Sequence, residues 1–260
     1  MISSFSTGGF LIRLKEENIQ SDVLWENHCH AGYEMIAVLS GDIRITLESR
    51  EFRLTEGDAI VIPPLCYHII SANKKSLYRR LTVDFDSEAI PSPLRSIISE
   101  KNPYPFHTGG GRLHKLAEIC SKDSAEFYSP LAEAVLIELL YAAADSVGYE
   151  EECSDDPMIS NALLYIENNL CESITLDGLA LYLSCSKSLL CHRFKEKMKI
   201  SPKQYILQKK LALATQMIRS GTPPTSVAIK LGYDNYGNFY RLYKKHCSHP
   251  PADDIPRTIN

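Results

Sequence analysis

The chain has 260 residues, 44% hydrophobic and 23% charged, enough for one or two domains and too ordinary for a disordered, collagen-like or membrane-bundle protein. Its net charge of −4 hides a split. Residues 1–155 hold 14 Lys+Arg against 24 Asp+Glu, a net −10, and residues 156–260 hold 14 against 8, a net +6. An acidic half joined to a basic half points to nucleic acid or an anionic surface as a partner.

Met1 to Phe10 lacks the basic start and apolar run of a secretory leader. The eight cysteines include no C-x-x-C pair and no zinc-finger spacing. Both features fit a reduced, cytoplasmic chain. To about residue 90 the sequence reads as strands. Ile43, Ile45 and Leu47 alternate with Arg44, Thr46 and Glu48, a half-buried strand. Gly41-Asp42 and Thr55-Glu56-Gly57-Asp58 are turns, and Ala59 to Ile62 runs into Pro63-Pro64, which stops a central strand. In this region His28-x-His30 is followed by Glu34 and Gly41, and later Gly57 and Pro63 precede His68. His28, His30 and Glu34 share one parity along a strand, so they can face one interior.

This spacing resembles the two motifs of the cupin barrel over about 60 residues. It departs at Asp22 and Leu65, where those motifs have Gly. In metal-binding cupins the residues matching His28, His30, Glu34 and His68 hold a divalent ion, and imidazoles with a carboxylate suit Fe, Mn, Ni or Zn. The same polar set can instead hydrogen-bond an organic ligand, or only its own members. Cys29 and Cys66 lie near these motifs; a thiol sensor and plain packing are both open readings.

Residues 91–108 carry four prolines and read as irregular, with Gly109-Gly110-Gly111 as a break. Leu113, Leu116, Ile119 and Cys120 then recur at helical spacing. Ser129-Pro130 opens a second helix, Pro suiting its first turn, with Leu131, Val135, Leu136, Leu139 and Leu140 on a broad apolar face. That helix is expected to be buried against the barrel or a second subunit. Its longest apolar stretch, Ala134 to Ala144, contains Glu138 and is too short to span a bilayer. The acidic stretch Gly148 to Asp156 reads as a linker. These boundaries give a barrel at 1–108, a helical dimerisation segment at 109–149 and an all-helical region at 157–257.

Within that region Thr175 caps a short helix, Leu176 to Leu183. Ser184-Cys185 turns, and Ser186 caps a helix from Lys187 to about Lys197. Leu190 and Phe194 form its apolar side, while Ser188, Cys191, His192 and Lys195 form a polar, basic stripe. This is the helix-turn-helix plan, in which the second helix enters the major groove. The pattern recurs: Ser226 to Leu231 is a short helix ended by Gly232, Tyr233 to Asn235 turn, and the next helix sets Phe239 and Tyr243 opposite Gly237, Tyr240, Arg241 and Lys244. Phe239, Tyr243 and Lys244 repeat Leu190, Phe194 and Lys195 at an offset of 49 residues, and Ala228 repeats Ala180 at 48, so the second turn is one residue longer. Between the units, Ser201-Pro202 opens a long helix, with Tyr205, Ile206, Leu211, Leu213, Met217 and Ile218 apolar and Gly221 as its stop. Such a spacer could set two recognition helices one DNA turn apart, about 34 Å.

From Met158 to Ile255 the sequence resembles the DNA-binding domain of AraC-type transcription regulators. The matching residues are Ile174-Thr175-Leu176, Leu179-Ala180, Phe194-Lys195, Ile200-Ser201-Pro202 and Tyr205-Ile206, then Ala228, Leu231-Gly232-Tyr233, Phe239, Arg241 and Tyr243-Lys244-Lys245. Lys199 departs from the Gly usual after the first recognition helix, so that helix is expected to end differently; Ser248 to Pro251 also lacks the usual Gly. The resemblance implies two domains: an all-β cupin-like barrel followed by helices, and an all-α double helix-turn-helix of homeodomain-like units at 174–197 and 225–246. It implies base contacts from Ser188, Cys191, His192, Gly237, Asn238 and Arg241. Phosphate contacts suit Lys187, Lys195, Tyr240, Lys244 and Lys245. Arg193 is set aside because it drifts toward the core side. The expected partners are double-stranded DNA, a sugar or other metabolite as effector, a second copy of the chain, and RNA polymerase. The barrels of such regulators commonly bind effectors without metal, so no cofactor is required and a divalent ion is the exception. Two other readings stay open: a metal-dependent cupin enzyme with an accessory DNA-binding tail, and an adaptor that dimerises and senses nothing.

Overall fold

A computed structural model describes residues 2–19, 23–24, 28–72, 76–100, 105–122, 124–146, 152–153 and 156–256. It divides into two compact units, one of residues 1–26 and 32–153 and one of residues 27–31 and 154–260.

In the first unit, eleven strands among the described residues form two antiparallel sheets. They are β1 (Ile2–Thr7), β2 (Phe10–Ile19), β3 (Val23–Leu24), β4 (Tyr33–Ser40), β5 (Asp42–Leu47), β6 (Arg50–Thr55), β7 (Asp58–Ile62), β8 (His68–Ala72), β9 (Ser76–Phe85), β10 (Phe106–His107) and β11 (Glu152–Cys153). One sheet runs β1-β2-β9-β4-β7-β10 and the other β11-β6-β5-β8-β3. Side chains alternate along each strand, so one sequence builds two cores. On β4, Tyr33, Met35, Ala37 and Leu39 face the helices with Val61, Leu81 and Val83. Ile36 and Val38 face the other way, into the barrel, with Ile43, Ile45, Leu47, Phe52, Leu54, Ile60 and Ile62. Large aliphatic side chains therefore fill the middle of the barrel. The alternation read at Ile43, Ile45 and Leu47 is present, and all three are buried.

The outer face is covered by α1 (Ser92–Glu100), α2 (Gly111–Cys120) and α3 (Ser129–Asp145). The irregular reading of 91–108 is corrected at α1. Pro93 sits in its first turn, where a missing N–H costs nothing, and Leu94 and Ile98, four apart, drop into the core. With the short 3-10 turn before it, α3 makes a helical run from Ala125 to Asp145, 21 residues. That is longer than the apolar stretch in the sequence suggested, and by length and composition enough to cross a membrane. Its Ala132, Leu136, Leu139 and Leu140 are buried in the outer core, as in a core helix. The linker reading of Gly148 to Asp156 falls partly outside the described residues. Where described, it is corrected at Glu152 and Cys153, which pair with Glu51 and Arg50 as a sheet edge.

The second unit contains α4 (Pro157–Asn168), α5 (Leu176–Tyr182), α6 (Lys187–Met198), α7 (Pro202–Arg219), α8 (Pro224–Lys230) and α9 (Tyr236–Cys247). Leu179, Leu190, Phe194 and Met198 are buried around the first helix pair, with Phe194 edge-on to Tyr205. Val227, Ala228, Leu231, Phe239 and Tyr243 form the second core against Leu211, Ala214 and Ile218 of α7.

Candidate nucleic-acid interface and barrel site

Each helix start in the first pair is fixed by a short polar side chain. The Thr175 hydroxyl accepts from the Gly178 N–H, and Ser186 accepts from the Leu189 N–H at 3.2 Å. The turn between them passes through Ser184 in the left-handed region, φ 51°; the corresponding turn has Gly232 at φ 74°. Four residues separate α5 from α6 and five separate α8 from α9, matching the one-residue difference read in the repeat. Asn235, which the sequence reading placed only in a turn, is the cap of α9, accepting from the Asn238 N–H at 2.8 Å. An Asn just before a helical pattern is the signal that could have found it.

The recognition helices bury their apolar side and leave the other side to solvent. On α6, Leu190 and Phe194 are buried, Ser188, His192 and Lys195 are exposed and Cys191 is half-buried. On α9, Phe239 and Tyr243 are buried, Gly237, Asn238, Arg241, Lys244 and Lys245 are exposed and Tyr240 is half-buried. The Arg241 Nε–H donates to the Gly237 carbonyl at 3.3 Å, one turn back along the same helix. That bond uses one guanidinium N–H, and it is made by Nε rather than by the two terminal amines. Lys187 pairs with Asp177 of α5 at 3.0 Å, an exposed pair worth little and readily exchanged for a phosphate. Arg193 does not drift into the core. It is exposed and donates to Asp156, the N-cap of α4, at 2.7 Å. The base of α9 is clamped onto α7: the Tyr243 hydroxyl donates to Asp254, which also accepts from Arg219 Nε at 2.9 Å.

Both glycine departures keep left-handed backbone. Lys199 ends α6 at φ 59° and Ser248 ends α9 at φ 66°. The expectation of a different ending at Lys199 is therefore corrected. Its Nζ–H donates to the Glu196 carbonyl at 2.8 Å, returning part of the roughly 1 kcal/mol that a Cβ costs there. Leu65, also at a family Gly, adopts φ 62°; Asp22 lies outside the described residues.

In the barrel, Glu34 and His68 are buried with 6% and 1% exposure. His68 Nδ1 lies 3.1 Å from the Cys66 carbonyl and Nε2 lies 3.0 Å from a Glu34 carboxylate oxygen. A carbonyl only accepts, so Nδ1 carries a proton. His28 and His30, in the other compact unit, have ring centroids 5.6 Å apart. The Nδ1–carbonyl bond is also the outer contact that orients a ligating imidazole. The inner face turns polar toward β2 and β9. Arg13, directly across from Thr82, pairs with Asp84, Lys15 lies opposite Arg80, and burial pushes the Tyr78 hydroxyl up to about 12.

A helix-turn-helix domain family model matches residues 179–254 and a cupin domain model matches residues 21–82. The chain is 24% identical over 257 residues to an uncharacterized HTH-type transcriptional regulator, YdiP of Escherichia coli K12, covering 93% of this chain and 85% of that one. It is 24% identical to another, YobQ of Bacillus subtilis 168, over 88% of each. It is also similar to the crystal structure of unsaturated fatty acid-bound ToxT from Vibrio cholerae, at TM-score 0.43 and 10% identity over 97% of this chain and 96% of that one. The chain is a DNA-binding transcription regulator with an N-terminal cupin domain and a C-terminal helix-turn-helix region, and it is similar to regulators of the AraC type.

Proposed function

We propose that the chain is a one-component regulator whose two recognition helices read one operator, and whose affinity for it is set by a small molecule held in the barrel. The carrying observation is the repeated division of α6 and α9. At matched positions each buries two large apolar side chains and leaves a polar, basic stripe exposed. In this reading Ser188, Cys191, His192, Asn238 and Arg241 meet base edges, Gly237 is silent, and Lys187, Lys195, Tyr240, Lys244 and Lys245 meet phosphates. It acts as a cytoplasmic homodimer, and contact with RNA polymerase belongs to the same reading.

The effector site is assigned to the polar end of the barrel, at His28, His30, Glu34 and His68, because aliphatic side chains fill its middle. A second reading of that site is a divalent-ion centre, favoured by its donor types, three imidazoles and a carboxylate. A bound ion would give the site affinity for a hydroxyl or carboxylate oxygen. The sensing reading is tested by a thermal-shift screen of sugars and divalent metals, followed by DNA binding with and without each hit. A compound that raises the melting temperature and changes DNA affinity supports sensing. A retained stoichiometric metal with turnover of a small substrate would replace it with the enzyme reading.

A further inference from the structure

The long helix α7 carries a buried lysine that touches both helix-turn-helix units. Lys210 is 9% exposed. Its ammonium donates to the Glu172 carbonyl at 2.7 Å and to the Leu231 carbonyl at 2.7 Å. Glu172 lies in the turn between α4 and α5, at the entry to the first unit. Leu231 is the C-cap of α8, in the second, and its carbonyl is among those a helix end leaves without a partner inside the helix. The two backbones meet here. A Cβ on Gly232 would lie 3.6 Å from the Glu172 carbonyl carbon and from the Ser173 nitrogen. The ammonium also stands 5.9 Å from the Tyr233 ring centre. Burial pulls the lysine below its usual range, with Cys171 and Glu172 acting against that.

A surface lysine would serve DNA binding or solubility; this one is spent on two carbonyls from different units. A buried ammonium is expensive unless paired, and removing it would leave the buried Leu231 carbonyl and the partly buried Glu172 carbonyl short of a donor. With α7 alone between them, the units could pivot about its two ends. The Lys210 bridge closes the connection a second time.

We propose that Lys210 is a positioning residue that fixes the separation and phase of α6 and α9, so that the chain accepts one spacing between the two halves of its operator. This rests on the reading that both units bind DNA. The test is parallel selection from a random duplex library by the full-length wild-type chain and by Lys210→Met, each checked for helical content by circular dichroism. The wild type should return two sequence blocks at one spacing. Lys210→Met should return the same blocks over several spacings, bind the wild-type duplex roughly tenfold more weakly, and keep its affinity for a duplex with one block. If Lys210→Met does not fold, Lys210→Gln, whose amide is one bond too short to span both carbonyls, carries the same comparison. A variant that returns the wild-type spacing, or loses equal affinity on one-block and two-block duplexes, overturns the proposal. A wild type that returns one block overturns the two-unit reading itself, a result distinct from the other.

Discussion

Arg241 and Lys244 are neighbours on one exposed stripe, yet their chemistry assigns them different work. A guanidinium fork discriminates bases; an ammonium on a flexible stem neutralises phosphate. Arg241→Ala should weaken binding to a selected duplex by about 1–3 kcal/mol and relax preference at one base position. Unchanged base preference in a repeated selection would remove Arg241 from the readout. Lys244→Ala should weaken binding to all sequences alike and lower the salt slope by about one, and a sequence-selective loss would contradict its phosphate role. The left-handed caps are also a matter of single residues. Lys199 at φ 59° strains a Cβ that Gly lacks. Lys199→Gly should stabilise the chain by up to about 1 kcal/mol, less what the Lys199–Glu196 bond returns; a urea midpoint that falls would contradict this.

At the level of elements, Asp156 joins the N-terminus of α4 to the first recognition helix. It accepts from the Met158 and Ile159 N–H groups and from Arg193. Partial burial raises its pKa, but the hydrogen bonds from Arg193 and the cap hold it below the usual carboxylate range. The sign follows: the carboxylate stabilises the fold above the unfolded aspartate value, about 3.9, and the contribution is lost as pH falls through the lower folded value. Asp156→Ala should cost about 1–2 kcal/mol at pH 7 and less at pH 3, measured by urea unfolding; an equal cost at both would show that charge is irrelevant there. The helix-turn-helix pairs were legible in the sequence because apolar positions and stripe recur in both units, whereas caps were read only in the first. Helix α1 was not, because a count of prolines outweighed the Leu94–Ile98 spacing. The strand at Glu152 and Cys153 was not, because a two-residue edge has no periodicity. Lys210 was legible in principle: Ile206, Lys210, Ala214 and Ile218 follow one another at four and all are buried, so the stripe places a lysine on the apolar face. The polar barrel set was legible by spacing, whereas the His68–Glu34 contact depends on strands joined only by the fold.

For the whole molecule, the charge split becomes a division of labour. The basic half carries the DNA-binding stripes, and the acidic half carries the barrel and its helices. An acidic barrel adds no phosphate affinity, so sequence selectivity and salt dependence should both reside in residues 156–260. The central claim is that one chain reads DNA with two helices. Hydroxyl-radical footprinting of the full-length chain on a duplex it has selected tests this most directly. Each bound copy is expected to protect two patches on one face of the duplex, about one turn or 34 Å apart, with Arg241→Ala altering only the patch read by α9. A single protected patch, or loss of both on that one substitution, would contradict it.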